Sequence, residues 1–253
     1  MMGNLNHSRQ RHIPMNYDNP AYRLLHILQL GLQKQKNAKC IDVWCELLEV
    51  SRTDLALLMG RLGKVMELPS LSLMAVQESF PGQSDTCRHW STQVNTALAS
   101  QNLLGNWDTF INQIDSHTIS YLKLTTALLD TKTNTKAISD DDIAGVRKRF
   151  SELLTEILAN QSLSAELKIY LARTIRQLMV SIDEYFLTGA LPLLTSMDAA
   201  LGHAIHDAEY KGFLKDTDLG AKLLEMLVAM STVVSIATGL PLLTREIQLL
   251  LGN

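Results

Sequence analysis

Two histidines and an aspartate in the segment GHAIHDAEY form the densest group of side chains in this sequence that could do chemistry. His203 and His206 lie three residues apart, so a continuous helix would place both imidazoles on one face, beside Asp207. Imidazole and carboxylate groups at this spacing can share a zinc ion, and bound zinc activates water for hydrolysis. One hypothesis is therefore a metal-dependent hydrolase that uses these three residues.

The sequence does not complete such a metal site. Downstream of Asp207 the remaining aspartates are Asp216 and Asp218, which lie too close to it to come from a separate helix. Because a function must be argued from a complete site, we favour histidines at a solvated or half-buried helix end. We accordingly expect no bound metal and no cofactor.

The sequence contains no other catalytic motif. It has neither the glycine-rich GxxxxGK[ST] loop that cradles nucleotide phosphates nor the GxSxG turn that presents a nucleophilic serine. Cys40, Cys45 and Cys87 have spacings that match no zinc or disulfide framework. Unpaired cysteines are typical of a reducing compartment, so we expect a cytoplasmic protein. Because no complete catalytic motif is found, we favour a non-enzymatic function.

The charge balance gives no support for binding to nucleic acid. The 253 residues include 23 basic and 26 acidic side chains, for a net charge of -3. Binding to a phosphate backbone normally requires a clustered basic excess, so nucleic-acid binding is unsupported. The apolar fraction of 46% is sufficient for a sizeable hydrophobic core.

Helical periodicity dominates the chain and determines how any site is positioned. No segment shows the two-residue alternation of a half-buried strand, so we predict an all-α fold of multi-helix bundles, with about 8–11 helices and no sheet. Asn19 followed by Pro20 is typical of a helix start, and Ser164 indicates another.

Shifts in composition predict four regions along the chain. The polar, aperiodic N-terminus and the polar run TKTNTKAISD separate two stretches rich in helical patterns. The expected regions are a flexible tail at residues 1–18, an N-terminal helical region at 19–130, a linker at 131–138 and a C-terminal helical bundle at 139–253.

The segment MLVAMSTVVSIATGLPLLT, residues 226–244, contains no charged side chain. As a helix it would extend roughly 28 Å, close to a hydrocarbon thickness of about 30 Å, so a second hypothesis is a membrane-perturbing effector that inserts this helix. Thr232, Ser235 and Gly239 form a stripe of small residues, typical of close packing against neighbours or of self-association in lipid. Because Pro241 breaks the helix early, we favour a buried core helix.

The third hypothesis, which we favour, is a non-enzymatic helical protein that binds another protein and forms a homo-oligomer. Ten methionines suit an adaptable interface. Tyr185 and Phe186 in DEYFLTG look like exposed partner-binding aromatics, and Trp90 belongs either to such a surface or to the core. Gly60 and Gly63, in a helical pattern, predict close packing of helices at small residues.

Three segments add a resemblance to this interpretation: DNPAYRLLHIL, VWCELLEV and LMVSIDEYFLTGALPLLTSMDAALGHA. Together they resemble uncharacterised all-helical proteins of bacterial mobile-element and anti-phage defence neighbourhoods. The resemblance contains no catalytic motif and carries over no site residue. It implies a partner-binding or effector role in defence.

Overall fold

The computed structural model describes residues 16–132 and 140–238, here called the N-terminal half and the C-terminal half. Within these ranges the chain forms α-helices and one 3-10 helix but no β-strand, which confirms the predicted all-α fold. The described residues form twelve α-helices. This exceeds the predicted count of about 8–11 because two of them are single turns that the apolar periodicity does not resolve.

The helices of the N-terminal half are α1 (Pro20–Leu32), α2 (Cys40–Leu47), α3 (Leu55–Ser79), α4 (Arg88–Ser100), α5 (Asp108–Ile111) and α6 (Ser116–Asp130), with the 3-10 helix (Pro81–Cys87) between α3 and α4. The helices of the C-terminal half are α7 (Asp140–Ala159), α8 (Ala165–Asp183), α9 (Tyr185–Thr188), α10 (Leu191–His203), α11 (Ala208–Asp216) and α12 (Asp218–Thr238).

Local capping signals explain where several helices begin. The Asn19 side chain accepts hydrogen bonds from the backbone N–H groups of Ala21 and Tyr22, and Pro20 occupies the first helical position. The Ser164 hydroxyl likewise accepts from the N–H of Leu167. Both helix starts were predicted from the sequence, and the structure confirms them.

Three tryptophans anchor the core of the N-terminal half. Trp107 donates from its indole N–H to the carbonyl of Gly31 at 2.9 Å, and a Cβ at Gly31 would lie only 2.9 Å from the Trp107 ring. Glycine at position 31 therefore permits α1 to approach this ring. Trp90 is fully buried and donates to the Thr125 hydroxyl at 3.1 Å. The structure therefore places Trp90 in the core and not on a partner-binding surface.

Helix α12 packs into the core of the C-terminal half through large side chains. Leu223, Leu227 and Val234 are buried there, whereas Thr232 is exposed and donates its hydroxyl hydrogen to the Val228 carbonyl. The expectation that α12 packs through its small-residue stripe is therefore wrong at Thr232. Ser235 is half-buried. Among the helices that the structure describes, none combines the length and apolar character needed to cross a membrane.

Part of the predicted boundaries falls outside the described residues, namely Gly239 with residues 239–253, residues 1–15 and most of the linker at 131–138. Residues 16–18, assigned to the tail by their polar sequence, are packed against the fold. Their burial depends on contacts with residues far away in the sequence, which a local composition argument does not register.

Two residues lie in the hydrophobic core of the opposite half. Tyr17, from the N-terminal end, is buried in the core cluster of the C-terminal half. Leu187, from α9, is buried in the core cluster of the N-terminal half, and Phe186 contacts both clusters. Because each half supplies a side chain to the other core, the two halves pack together through apolar contacts as well as polar ones.

Candidate protein-interaction surface

The predicted histidine cluster lies at the junction of two helices rather than on one helix face. Helix α10 ends at His203, and His206 is exposed in the turn that follows. Asp207 is the N-cap of α11 and accepts a hydrogen bond from the Tyr210 backbone N–H at 2.9 Å. The expectation that both histidines share one helical face is therefore wrong, because the helix stops between them.

The remaining contacts of this cluster are those of a helix terminus. The His203 imidazole stacks on Tyr170, with ring centroids 3.9 Å apart, and its Nε2 lies 3.1 Å from Asp207 Oδ2. The Tyr210 N–H lowers the pKa of Asp207 by stabilising its carboxylate. Within residues 16–132 and 140–238 no three histidine, cysteine, aspartate or glutamate side chains are grouped so that they could hold a metal ion.

Tyr185 and Phe186 lie at the junction between the halves. Tyr185 is only 3% exposed, so its expected exposure is wrong, and its hydroxyl donates to Asp18 at 3.3 Å. Phe186 is half-buried, and the Arg61 guanidinium lies 5.7 Å from its ring centroid. Both aromatic residues line a cavity of about 590 Å³ together with Tyr17. They serve the packing of the halves and do not form a free surface.

Arg61 of α3 fastens α3 to this junction. Its buried guanidinium donates to the Leu48 carbonyl at 2.6 Å and lies 3.6 Å from the Glu184 carboxylate. Lys64, one turn farther along, forms a salt bridge with the same carboxylate. One flank of α3 is thereby held at the C-terminal half, which fixes the direction in which its remaining faces point.

Helix α3 has two apolar faces, and the described residues cover only one of them. Leu58, Val65 and Leu68 are fully buried and pack towards the core of the N-terminal half, where α3 contacts α1, α4 and α6. On the opposite face six residues lie within about 100° of each other on the helix circumference, at intervals of three and four. We call this face the α3 stripe, which consists of Leu55, Met59, Gly63, Met66, Ser70 and Met74.

The large side chains of the α3 stripe face solvent. Leu55 is 47% exposed, Met59 44%, Met66 45% and Met74 55%. Single exposed apolar side chains are ordinary on a protein surface, but four large ones on one face of a 25-residue helix are typical of a contact surface. No other helix of the described chain has as many exposed large apolar side chains.

The glycines of α3 have no neighbour within the described fold. Apart from the adjoining residues and the nearby backbone of α3 itself, a Cβ built at Gly60 or Gly63 would meet no described heavy atom within 4 Å. Among the described residues no other helix packs against these glycines, so the predicted close packing of helices is not found there. They leave open hollows on the exposed side of α3, next to exposed methionines.

The exposed apolar face of α3 was not apparent from the sequence because this helix is apolar around most of its circumference. A helix with this pattern is normally buried on all sides, so the periodicity gave no reason to expect an exposed face. The available signal was length: 25 residues extend about 37 Å, longer than a bundle of these short helices can enclose.

Comparison of the chain with protein-family models, with curated proteins and with solved structures finds no match.

Proposed function

We propose that this chain is a non-enzymatic helical protein that acts by binding another protein, and that the α3 stripe is its binding surface. The observation that carries the proposal is the row of four half-exposed Leu and Met side chains on the α3 stripe. It is supported by the rigid placement of α3, whose opposite face is buried and whose flank is held by Arg61 and Lys64.

The energetics of burial favour an occupant on this face. Fully burying a Leu or Met side chain contributes about 1.5–3 kcal/mol, so the half that remains exposed retains about 1 kcal/mol each. Four such side chains supply roughly 4 kcal/mol, which corresponds to about a thousandfold in a binding constant. Thioethers also adapt to an uneven partner surface because they are flexible and polarisable.

We also propose a cellular compartment for this protein and a biological process in which it acts. All three cysteines are free and buried, which fits a reducing compartment, so we place the protein in the cytoplasm. We assign the binding role to anti-phage defence on the resemblance of the three segments named above, which include α1 and the α8–α10 region. These assignments follow from composition and resemblance rather than from the α3 geometry.

Photo-crosslinking in the native host tests the proposed surface. A benzophenone amino acid replaces Met66 in one full-length variant and Ile169 in a matched control, since Ile169 is 70% exposed on α8, away from the α3 stripe. We expect ultraviolet light to give one defined covalent protein adduct from position 66 and none from position 169. The absence of an adduct at position 66, or the same adducts from both positions, would overturn the proposal.

A further inference from the structure

We infer that the partner on the α3 stripe is a second copy of this chain, bound antiparallel. The two-fold axis passes beside the bond between Lys64 and Val65, so that Met66 of each copy covers Gly63 of the other. This inference rests on the proposed function and specifies its partner and geometry.

The register of the α3 stripe is symmetric about that axis. Position 63 has the same separation from the axis as position 66, position 59 the same as 70, and position 55 the same as 74. In an antiparallel pair Met66 therefore meets Gly63, and Met59 meets Ser70. Large side chains lie opposite small ones, and Leu55 meets Met74 at each end.

The hollow at Gly63 is the place for the Met66 side chain of the second copy. Apart from the adjoining residues and the nearby backbone of α3, no described atom lies within 4 Å of a Cβ built at Gly63, and Met66 is exposed on the same face one turn away. Close-packed interfaces require this pairing of protrusions with hollows. A parallel pair would place Met66 against Met66 and Gly63 against Gly63, which produces one overpacked layer and one void.

Charge complementarity supports the same orientation. Glu78 is an exposed acidic residue near the C-terminal end of α3, and Arg52, exposed just before the helix begins, forms a surface salt bridge with Asp42 of α2. In an antiparallel pair Arg52 approaches Glu78 of the second copy. A parallel pair would instead bring the Glu78 residues of the two copies together. Surface charges of this kind contribute little affinity, but they determine which orientation is favoured.

The size of the contact predicts a reversible dimer. From Leu55 to Met74 the stripe extends about 28 Å, and a helix with its side chains is about 10–12 Å wide. The footprint of roughly 300 Å² is small beside the ~800 Å² per partner of a standard stable interface. Because a two-fold contact uses the same patch on both copies, association closes at two chains and depends on concentration.

Mixed cysteine cross-linking tests the partner and its orientation. Leu55→Cys and Met74→Cys are prepared as separate full-length proteins, mixed, and treated with a bismaleimide that spans an interaxial distance of about 8–10 Å. We expect cross-linked dimer from the mixture and at least tenfold less from either protein alone. The two positions are about 28 Å apart along α3, so a parallel pair would cross-link each protein with itself.

Two controls keep the cross-linking interpretable. The wild-type chain measures any reaction of its three buried cysteines, and Ile169→Cys measures random collision at an exposed site. Circular dichroism verifies that the variants fold, as expected for exposed positions.

The outcomes separate this inference from the proposed function. Cross-linking of each protein with itself, or none above the Ile169→Cys level, overturns the antiparallel dimer. If the photo-adduct at position 66 contains a different protein, or joins α3 to residues 239–253 of the same chain, the second copy is likewise overturned. If the adduct contains a different protein, the protein-binding function stands. If the adduct joins α3 to residues 239–253 of the same chain, the protein-binding function is overturned as well.

Discussion

Asp18 accepts a hydrogen bond from the backbone N–H of Ala190 at 2.7 Å, across 172 residues of sequence. The same carboxylate accepts from the Tyr185 hydroxyl at 3.3 Å. Arg23 is buried beside it, and desolvation lowers the pKa of the Arg23 guanidinium to about 10 while Asp18 opposes the shift. These contacts fasten the N-terminal end of the chain to the start of α10 and hold the halves in one arrangement.

The titration of Asp18 predicts a distinctive pH dependence of stability. Burial raises the pKa of Asp18 above the ordinary value of 3.8. Between pH 3.8 and the pKa of the folded state, the folded chain therefore binds a proton at Asp18 more tightly than the unfolded chain does. The Asp18 contribution to the free energy of unfolding is therefore largest below pH 3.8 and falls as the pH rises through the folded pKa. Urea unfolding of the wild type and Asp18→Asn should show the wild type losing stability relative to the variant over this interval. If the free energy of unfolding of the wild type, taken relative to that of Asp18→Asn, stays constant or rises over this interval, the raised pKa of Asp18 is contradicted.

A substitution at Gly189 should destabilise the junction. Gly189 has a φ of +71°, and a Cβ there would lie 2.7 Å from Arg23 Nη1 and 3.0 Å from the Tyr17 carbonyl. We expect Gly189→Ala to lower the free energy of unfolding by about 2–3 kcal/mol. The matched control, Gly60→Ala, has open space within a helix and should instead stabilise the chain by about 0.5–1 kcal/mol. Chemical denaturation measures both values, and equal effects would contradict this account.

Leu187 should couple the stability of the two halves. It is 1% exposed within the core of the N-terminal half although it belongs to α9. Leu187→Ala leaves a cavity there and should cost about 2–5 kcal/mol. Leu191→Ala, at a site 72% exposed, should change stability by less than ~0.5 kcal/mol. If urea unfolding finds the two variants alike, Leu187 does not join the halves.

Gly63→Leu distinguishes specific packing from general stickiness at the α3 stripe. The substitution adds apolar surface and raises helix propensity, so nonspecific association would become stronger. In the antiparallel pair, however, it fills the hollow that receives Met66, and overpacking of about 1–3 kcal/mol should weaken the dimer roughly tenfold or more. Sedimentation equilibrium measures the dissociation constant, and tighter association than wild type would count against the proposed register.

Sequence patterns predicted the features whose causes are local. The starts of α1 and α8 follow from capping by Asn19 and Ser164, and the all-α class follows from apolar periodicity. The burial of Tyr17 and Leu187 in opposite cores depends on contacts across most of the chain, which no local pattern encodes. Tyr185 was misplaced for the same reason.

The candidate surface was hidden by a different ambiguity. The apolar pattern of α3 does not distinguish a helix buried on all sides from one with an exposed face. Thr232 illustrates the converse error: its small, weakly polar side chain suggested packing, yet it faces solvent on α12. Only the arrangement of neighbouring helices decides which apolar face is covered.

Sedimentation velocity of the wild type, Met66→Lys and Ile169→Lys over a concentration range around 1 μM to 1 mM measures whether two copies of the chain associate through the α3 stripe. We expect the wild type and Ile169→Lys to shift from the 28.2 kDa chain towards twice that mass as concentration rises. Met66→Lys should remain a single chain throughout, because a charge would be buried in the hollow at Gly63. A wild type that stays a single chain at every concentration, or a Met66→Lys variant that associates as the wild type does, would contradict association through the α3 stripe.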